Sequence, residues 1–293
     1  MNLKRYKRIQ EKAKRKFTYY GVKKKMDNEW QYYNHALIPS IPPHETVDIK
    51  SLADNPLWED KRVLFARWTS DYDSKYETNW WYCIKDEPFD ISSINAKKRY
   101  EINKGTKNFD VRIINPIDYK DALFDIYVCV ANTYSINMNT DQDSFIKNFE
   151  RDNVVVFGAF DRSDGVLSGY AIIVEDGYIK YESHKAYPEK EKKAANAAIV
   201  NGILEYYNDK LSNEFYICDG ERNIYHETRF QDYLEKYFGF RKAYCRLNIK
   251  YKPIVKLIVN GLFPFRKFIG NISKLKKVSA VLKMHELYKQ KEF

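Results

Sequence analysis

The sequence predicts an α+β fold, and three observations carry that expectation. Two β-rich runs, 154–160 and 166–174, flank Asp161-Arg-Ser-Asp-Gly165, and Glu175-Asp-Gly177 leads into a third run, 178–183. Asp-Gly between apolar runs is a strong hairpin signal, so these runs form a three-strand meander. A long helical pattern over about 189–207 and a short strand over 215–219 follow it. From Phe109 to Ile249 the elements alternate as β-α-α-β-β-β-α-β-α-β.

The elements can be justified in order. Residues 1–20 place Leu3, Tyr6, Ile9, Ala13 and Phe17 at helical spacing among Lys and Arg, which predicts a basic amphipathic helix. Pro39, Pro42, Pro43 and Pro56 make 38–58 an extended linker. Two aromatic strands are expected at 62–68 and 79–84. Ser92 and Ser93 are expected to cap a helix that runs to about Lys104 and ends at Gly105. Phe109–Ile114 reads as a strand, and 119–134 as a helix with Ala122, Ile126, Val130 and Ala131 on one stripe. Asp141 is placed to cap a short helix over 141–150. A helix at 230–237 stops at Gly239, a strand spans 241–249, and 253–293 form basic helices with Leu275, Val278, Leu282 and Tyr288 on one face. The expected organisation is a basic helix and linker at 1–58, a partial half at 59–108, a main domain at 109–250 and basic helices at 251–293.

Composition narrows the function classes. The chain has 293 residues with 25 Tyr and 17 Phe, enough to bury a sizeable core. Cys83, Cys129, Cys218 and Cys245 are far apart with no Cys-x-x-Cys, so they read as structural thiols rather than a nucleophile or metal ligands, and a reduced, cytoplasmic setting is expected. The first 21 residues lack the apolar core of a signal peptide, and the most apolar stretch, 254–265, is too short to span a bilayer. The net charge of +10 is uneven: residues 1–25 carry +10, 250–293 carry +9, and 26–249 carry −9. An acidic body between basic ends points to a polyanion at the ends: a membrane face, RNA or an anionic substrate.

The element order over 109–249 resembles the GNAT acyltransferase fold. Tyr233-Leu-Glu-Lys-Tyr-Phe-Gly-Phe-Arg241 looks like that superfamily's late helix and turn. A closer resemblance is to the Fem-type branch, the peptidoglycan aminoacyltransferases and relatives in cell-surface polysaccharide clusters. There an incomplete first half precedes a complete one; the Trp-rich strands at 62–84 and the helix with Lys97-Lys-Arg99 and Lys104-Gly105 resemble that first half. The resemblance implies a mixed, mostly antiparallel sheet flanked by helices. It also implies a cleft between the fourth and fifth strands, here 178–183 and 215–219, where an acyl donor meets an amine.

Such chemistry needs a base for the amine proton and polar groups for the donor. Glu182 and His184 at the end of the fourth strand are the first candidates: two residues apart, they would share a face, with the carboxylate raising the basicity of the imidazole. Asp219, Glu221 and Arg222 at the mouth of the fifth strand are the second group, with His226, Thr228 and Gln231 beyond. Tyr134 and Tyr181 are candidate cleft walls, and Arg99 with its neighbouring lysines is a candidate for a substrate phosphate. The family's glycine-rich pyrophosphate loop is replaced by Tyr187-Pro-Glu-Lys-Glu-Lys-Lys-Ala-Ala195, where Lys190 and Lys193 could hold phosphates as point charges. No permanently bound cofactor and no metal are expected. The implied donor is acyl-CoA or aminoacyl-tRNA, and the acceptor an amino sugar or lipid-linked precursor. Three readings stay open: an N-acyltransferase, an aminoacyl-tRNA-dependent transferase and a non-catalytic scaffold at the membrane.

Overall fold

A computed structural model describes residues 29–133, 141–224 and 229–290. The helix expected at 1–20 lies outside them. The described chain forms two compact units, one of 84–220 and 230–241, the other of 29–83, 221–224, 229 and 242–290.

Along the chain the strands are β1 Trp30–Tyr33, β2 Ala36–Pro39, β3 Phe65–Ser70, β4 Trp80–Lys85, β5 Phe109–Ile114, β6 Val154–Asp161, β7 Leu167–Glu175, β8 Ile179–Ala186, β9 Ile217–Glu221 and β10 Arg241–Tyr251. The α-helices are α1 Pro56–Glu59, α2 Ala96–Asn108, α3 Lys120–Thr133, α4 Gln142–Lys147, α5 Pro188–Glu191, α6 Ala195–Tyr207, α7 Phe230–Phe238, α8 Pro253–Leu262, α9 Arg266–Gly270 and α10 Lys276–Lys289. The fold is α+β, with mostly antiparallel strand pairing and flanking helices.

In the unit that holds the chain's last helices, β1 and β2 form a hairpin absent from the sequence reading. Asn34 and His35 make its turn in the left-handed region, at φ 45° and 66°. The supposed linker 38–58 is ordered, with a 3-10 turn at Ile49–Leu52 and α1 capped by Asn55. Its Val47 and Leu52 are buried with Trp30, Leu37, Val63 and Ala66. Prolines restrict the backbone locally, but these apolar side chains find a core that the local pattern does not reveal. Strand β3 pairs in parallel with β2 and antiparallel with β10. Helices α8 to α10 enclose Val259, Ile269 and Leu282, and Leu275 and Val278 pack there as their spacing predicts.

The other unit is built on the meander, with strands in the order β9-β8-β7-β6-β5. Gly165 and Gly177, both at φ 71°, supply the left-handed residues of the two Asp-Gly turns. One face carries α3 and α4 over Ile114, Val156, Phe160, Leu167, Tyr170 and Ile172. Asp141 caps α4 as expected, its carboxylate accepting from the Ser144 amide. Helix α6 packs on β5, β6 and β7 and lies beside α2.

Two helix expectations are corrected. Asn95, not Ser92 or Ser93, caps α2, because those serines form a 3-10 turn capped by Asp90. Gly105 does not end α2; it is buried inside it, where a Cβ would stand 2.6 Å from the Ala194 carbonyl oxygen and 2.8 Å from the Ala198 nitrogen. The glycine serves a close helix–helix approach. The long helix at 189–207 is two helices, α5 and α6, separated by a turn in which Ala194 is left-handed at φ 65°.

Gly105→Ala should therefore lower the melting temperature. Alanine gains up to about 1 kcal/mol of helix propensity, but overpacking against rigid backbone costs roughly 1–3 kcal/mol. A thermal melt in which the variant is stabilised would contradict the close approach.

Candidate active site

The site grows from an irregularity in β8. In the β7–β8 ladder Ile172 faces Ser183 and Ile173 faces Tyr181, so Glu182 is an extra residue in a bulge. Residues three apart on a regular strand point to opposite faces. The bulge resets the alternation and brings Tyr181 and His184 together, Oη to Nδ1 at 2.6 Å. The expected common face for Glu182 and His184 is thereby corrected. Glu182 pairs instead with Arg151 at 2.6 Å and Lys180 at 3.4 Å.

His184 is wired on both nitrogens. Its Nε2 lies 2.8 Å from Oδ1 of Asn196, in the first turn of α6. An amide oxygen only accepts, so Nε2 carries the hydrogen and Nδ1 accepts from the Tyr181 hydroxyl. Burial pushes the imidazole down to about 4; the Asn196 bond pulls it up, and nearby Lys185 lowers it further. The basicity expected from a neighbouring carboxylate does not arise, because burial dominates and Glu182 is turned away. The Phe230 ring lies 4.9 Å from the imidazole and 5.7 Å from the Tyr181 ring.

Strands β8 and β9 run parallel for only two pairs, Ile179 with Ile217 and Lys180 with Cys218. Tyr181 and Asp219, next on each strand, stand where the ladder stops. Burial pushes the Asp219 carboxyl up to about 7, opposed by a hydrogen bond from the Gln231 side chain. Tyr181 is pushed well above its ordinary range, chiefly by burial and next by the charge of Asp219. The protein thus gathers Tyr181, His184, Asn196, Asp219, Gln231 and Phe230. Asn196 was not legible in the sequence: it is an unremarkable amide among alanines until the chain turns at Ala194.

Lys190 and Lys193 lie elsewhere. Both ammonium groups bind the Asp161 carboxylate, at 2.7 and 2.9 Å. The Ser163 hydroxyl and amide also bind it, and the two lysines, then Ser163, hold its carboxyl far below the usual range. Arg99 lies on α2 and donates to the Ser92 carbonyl at 3.3 Å. Tyr134, His226 and Thr228 fall outside the described residues. Glu221 and Arg222 belong to the other unit. There Glu221 is bound to Arg67, and the Arg222 guanidinium lies 4.4 Å from the Trp81 ring centre. Among the described residues no group of three or more His, Cys, Asp or Glu is placed to hold a metal ion, and no helix is long and apolar enough to cross a membrane.

No known protein family and no curated protein matches this chain. Solved structures resemble it. The C-terminal domain (DUF2156) of a candidate lysylphosphatidylglycerol synthetase from Agrobacterium fabrum is 9% identical, with a TM-score of 0.48 over 78% of this chain and 82% of that one. FemX is 9% identical, with a TM-score of 0.48 over 72% of each chain. AAC(6')-Iy, in complex with a bisubstrate analogue CoA-S-monomethyl-acetylneamine, is 13% identical, with a TM-score of 0.35 over 46% of this chain and 92% of that one.

The displaced acidity of Asp219 should be visible in folding. Its folded value of about 7 lies above its ordinary 3.8, so between these the unfolded chain holds fewer protons. This group's contribution to stability then falls as pH rises from about 4 to about 7. Asp219→Asn removes the effect, so denaturation should show the variant gaining on the wild type across that window. A gap independent of pH would show that the carboxyl is not displaced.

Proposed function

We propose that the chain is an N-acyltransferase that moves an acyl group onto an amino group of a sugar or glycolipid precursor of a cell-surface polymer. The observation that carries this reading is the two-pair β8–β9 ladder with Asp219 at its end. A separating strand pair offers backbone along which an extended donor can lie. A carboxyl raised to about 7 can take a proton at neutral pH and give it up again. The amine lone pair attacks the acyl carbon, the N–C bond forms, and the bond from that carbon to the donor's heteroatom breaks. The proton lost from nitrogen passes to Asp219 and on to the leaving group. Neutral His184, fixed by Asn196, orients the Tyr181 hydroxyl beside this path. The acceptor class follows the resemblance to Fem-type transferases.

A second reading keeps the chemistry and takes aminoacyl-tRNA as donor. The ion pairs of Lys190 and Lys193 with Asp161 favour it, because these lysines are already engaged by a carboxylate where a coenzyme A pyrophosphate would need them.

The purified chain should form an amide on a lipid-linked amino sugar with acyl-CoA in one assay arm or aminoacyl-tRNA in the other. Asp219→Asn should lower kcat by roughly 10²–10⁴ and abolish the limb of the rate–pH profile that rises near 7. Absence of product in both arms would overturn the enzyme assignment in favour of a scaffold.

A further inference from the structure

The C-terminal helices present a second apolar face that the fold does not use. On α8, Val255, Val259 and Leu262 turn inward to Ile269 and Leu282. One turn apart on the other side, Ile254, Leu257 and Ile258 are 73%, 74% and 55% exposed, and Phe265 and Phe268 continue the series at 62% and 71%. Leu275, Val278 and Leu282, which the sequence places on one face of the C-terminal helices, pack into the same inward cluster. The outward one emerges only when both sides of α8 prove apolar.

The charges around it are mostly positive, and the nearby Glu286 is ion-paired with Arg266 at 2.9 Å and Lys283 at 3.3 Å. Residues 253–285 contain seven Lys or Arg and no Asp or Glu. Lys256, Lys267, Lys274, Lys276 and Lys277 are exposed. Protein interfaces usually surround an apolar centre with a polar rim of both signs and are depleted in lysine. An apolar helix face flanked by exposed lysines, with the neighbouring Glu286 taken up by Arg266 and Lys283, matches the boundary of an anionic bilayer, where headgroups take the ammonium groups and acyl chains take the aliphatic and aromatic tips.

We infer that α8 and α9 form a docking surface for an anionic membrane, with Ile254, Leu257, Ile258, Phe265 and Phe268 entering the acyl-chain boundary and the lysines lying among the headgroups. The docking holds whatever reaction the other unit performs.

Co-sedimentation of the full chain with phosphatidylcholine vesicles, with and without phosphatidylglycerol, tests this surface. The expected result is binding that requires phosphatidylglycerol and weakens with salt. Leu257→Ser with Phe268→Ser should abolish it without changing the melting temperature, since both residues are exposed. Lys267→Gln and Lys274→Gln should each weaken binding about fivefold. Because these variants leave residues 1–25 intact, binding that persists undiminished in the double-serine variant would overturn the inference. Equal binding to both vesicle types would also overturn it. So would a wild-type dimer that the double-serine variant splits without any vesicle binding, which would assign the face to a second copy of the chain.

Discussion

One extra residue in β8 sets which side chains meet in the candidate site. Because the Glu182 bulge shifts the alternation, Tyr181 and His184 meet over α6 while Glu182 turns to Arg151. Without it the hydroxyl and imidazole would lie on opposite faces of the sheet. The bulge immediately follows the two residue pairs that join β8 to β9, so strand separation and side-chain reorientation occur together. A bulge bends its strand and increases the local twist, which accounts for both.

Burial then sorts the two titratable groups in opposite directions. The same loss of water that makes His184 a weak base makes Asp219 a weak acid. At neutral pH the imidazole is uncharged and fixed by two hydrogen bonds, and the carboxyl is poised between its two states. The Asp161 cluster shows the contrary case. Two ammonium groups and a serine hold that carboxylate charged although it is 1% exposed. A carboxylate with a cationic cage stays charged, whereas at Asp219 the Gln231 hydrogen bond only partly offsets burial.

Much of the fold was legible because it rests on local signals. The Asp-Gly turns at Gly165 and Gly177, the Asp141 cap and the strand Phe109–Ile114 follow from residues adjacent in sequence. The errors share one cause. Gly105 reads as a helix end until Ala194 and Ala198 press against it, and 38–58 reads as a linker until Val47 and Leu52 find Trp30. In the site, Asp219 and His184 drew notice by residue type and position. Asn196 did not, because an amide on a helix gains meaning only from the group that it holds.

The sequence by itself determined the strand order from Phe109 to Ile249, the meander and the basic character of both ends, since composition and nearest-neighbour turn chemistry set these. The tertiary structure decided which side chains share a face, where β8 leaves β9, that Lys190 and Lys193 close on Asp161, and that α8 keeps an apolar face turned outward. The physical reason is range: turn and helix signals act over a few residues, whereas desolvation, bulge register and ion pairing depend on groups far apart along the chain.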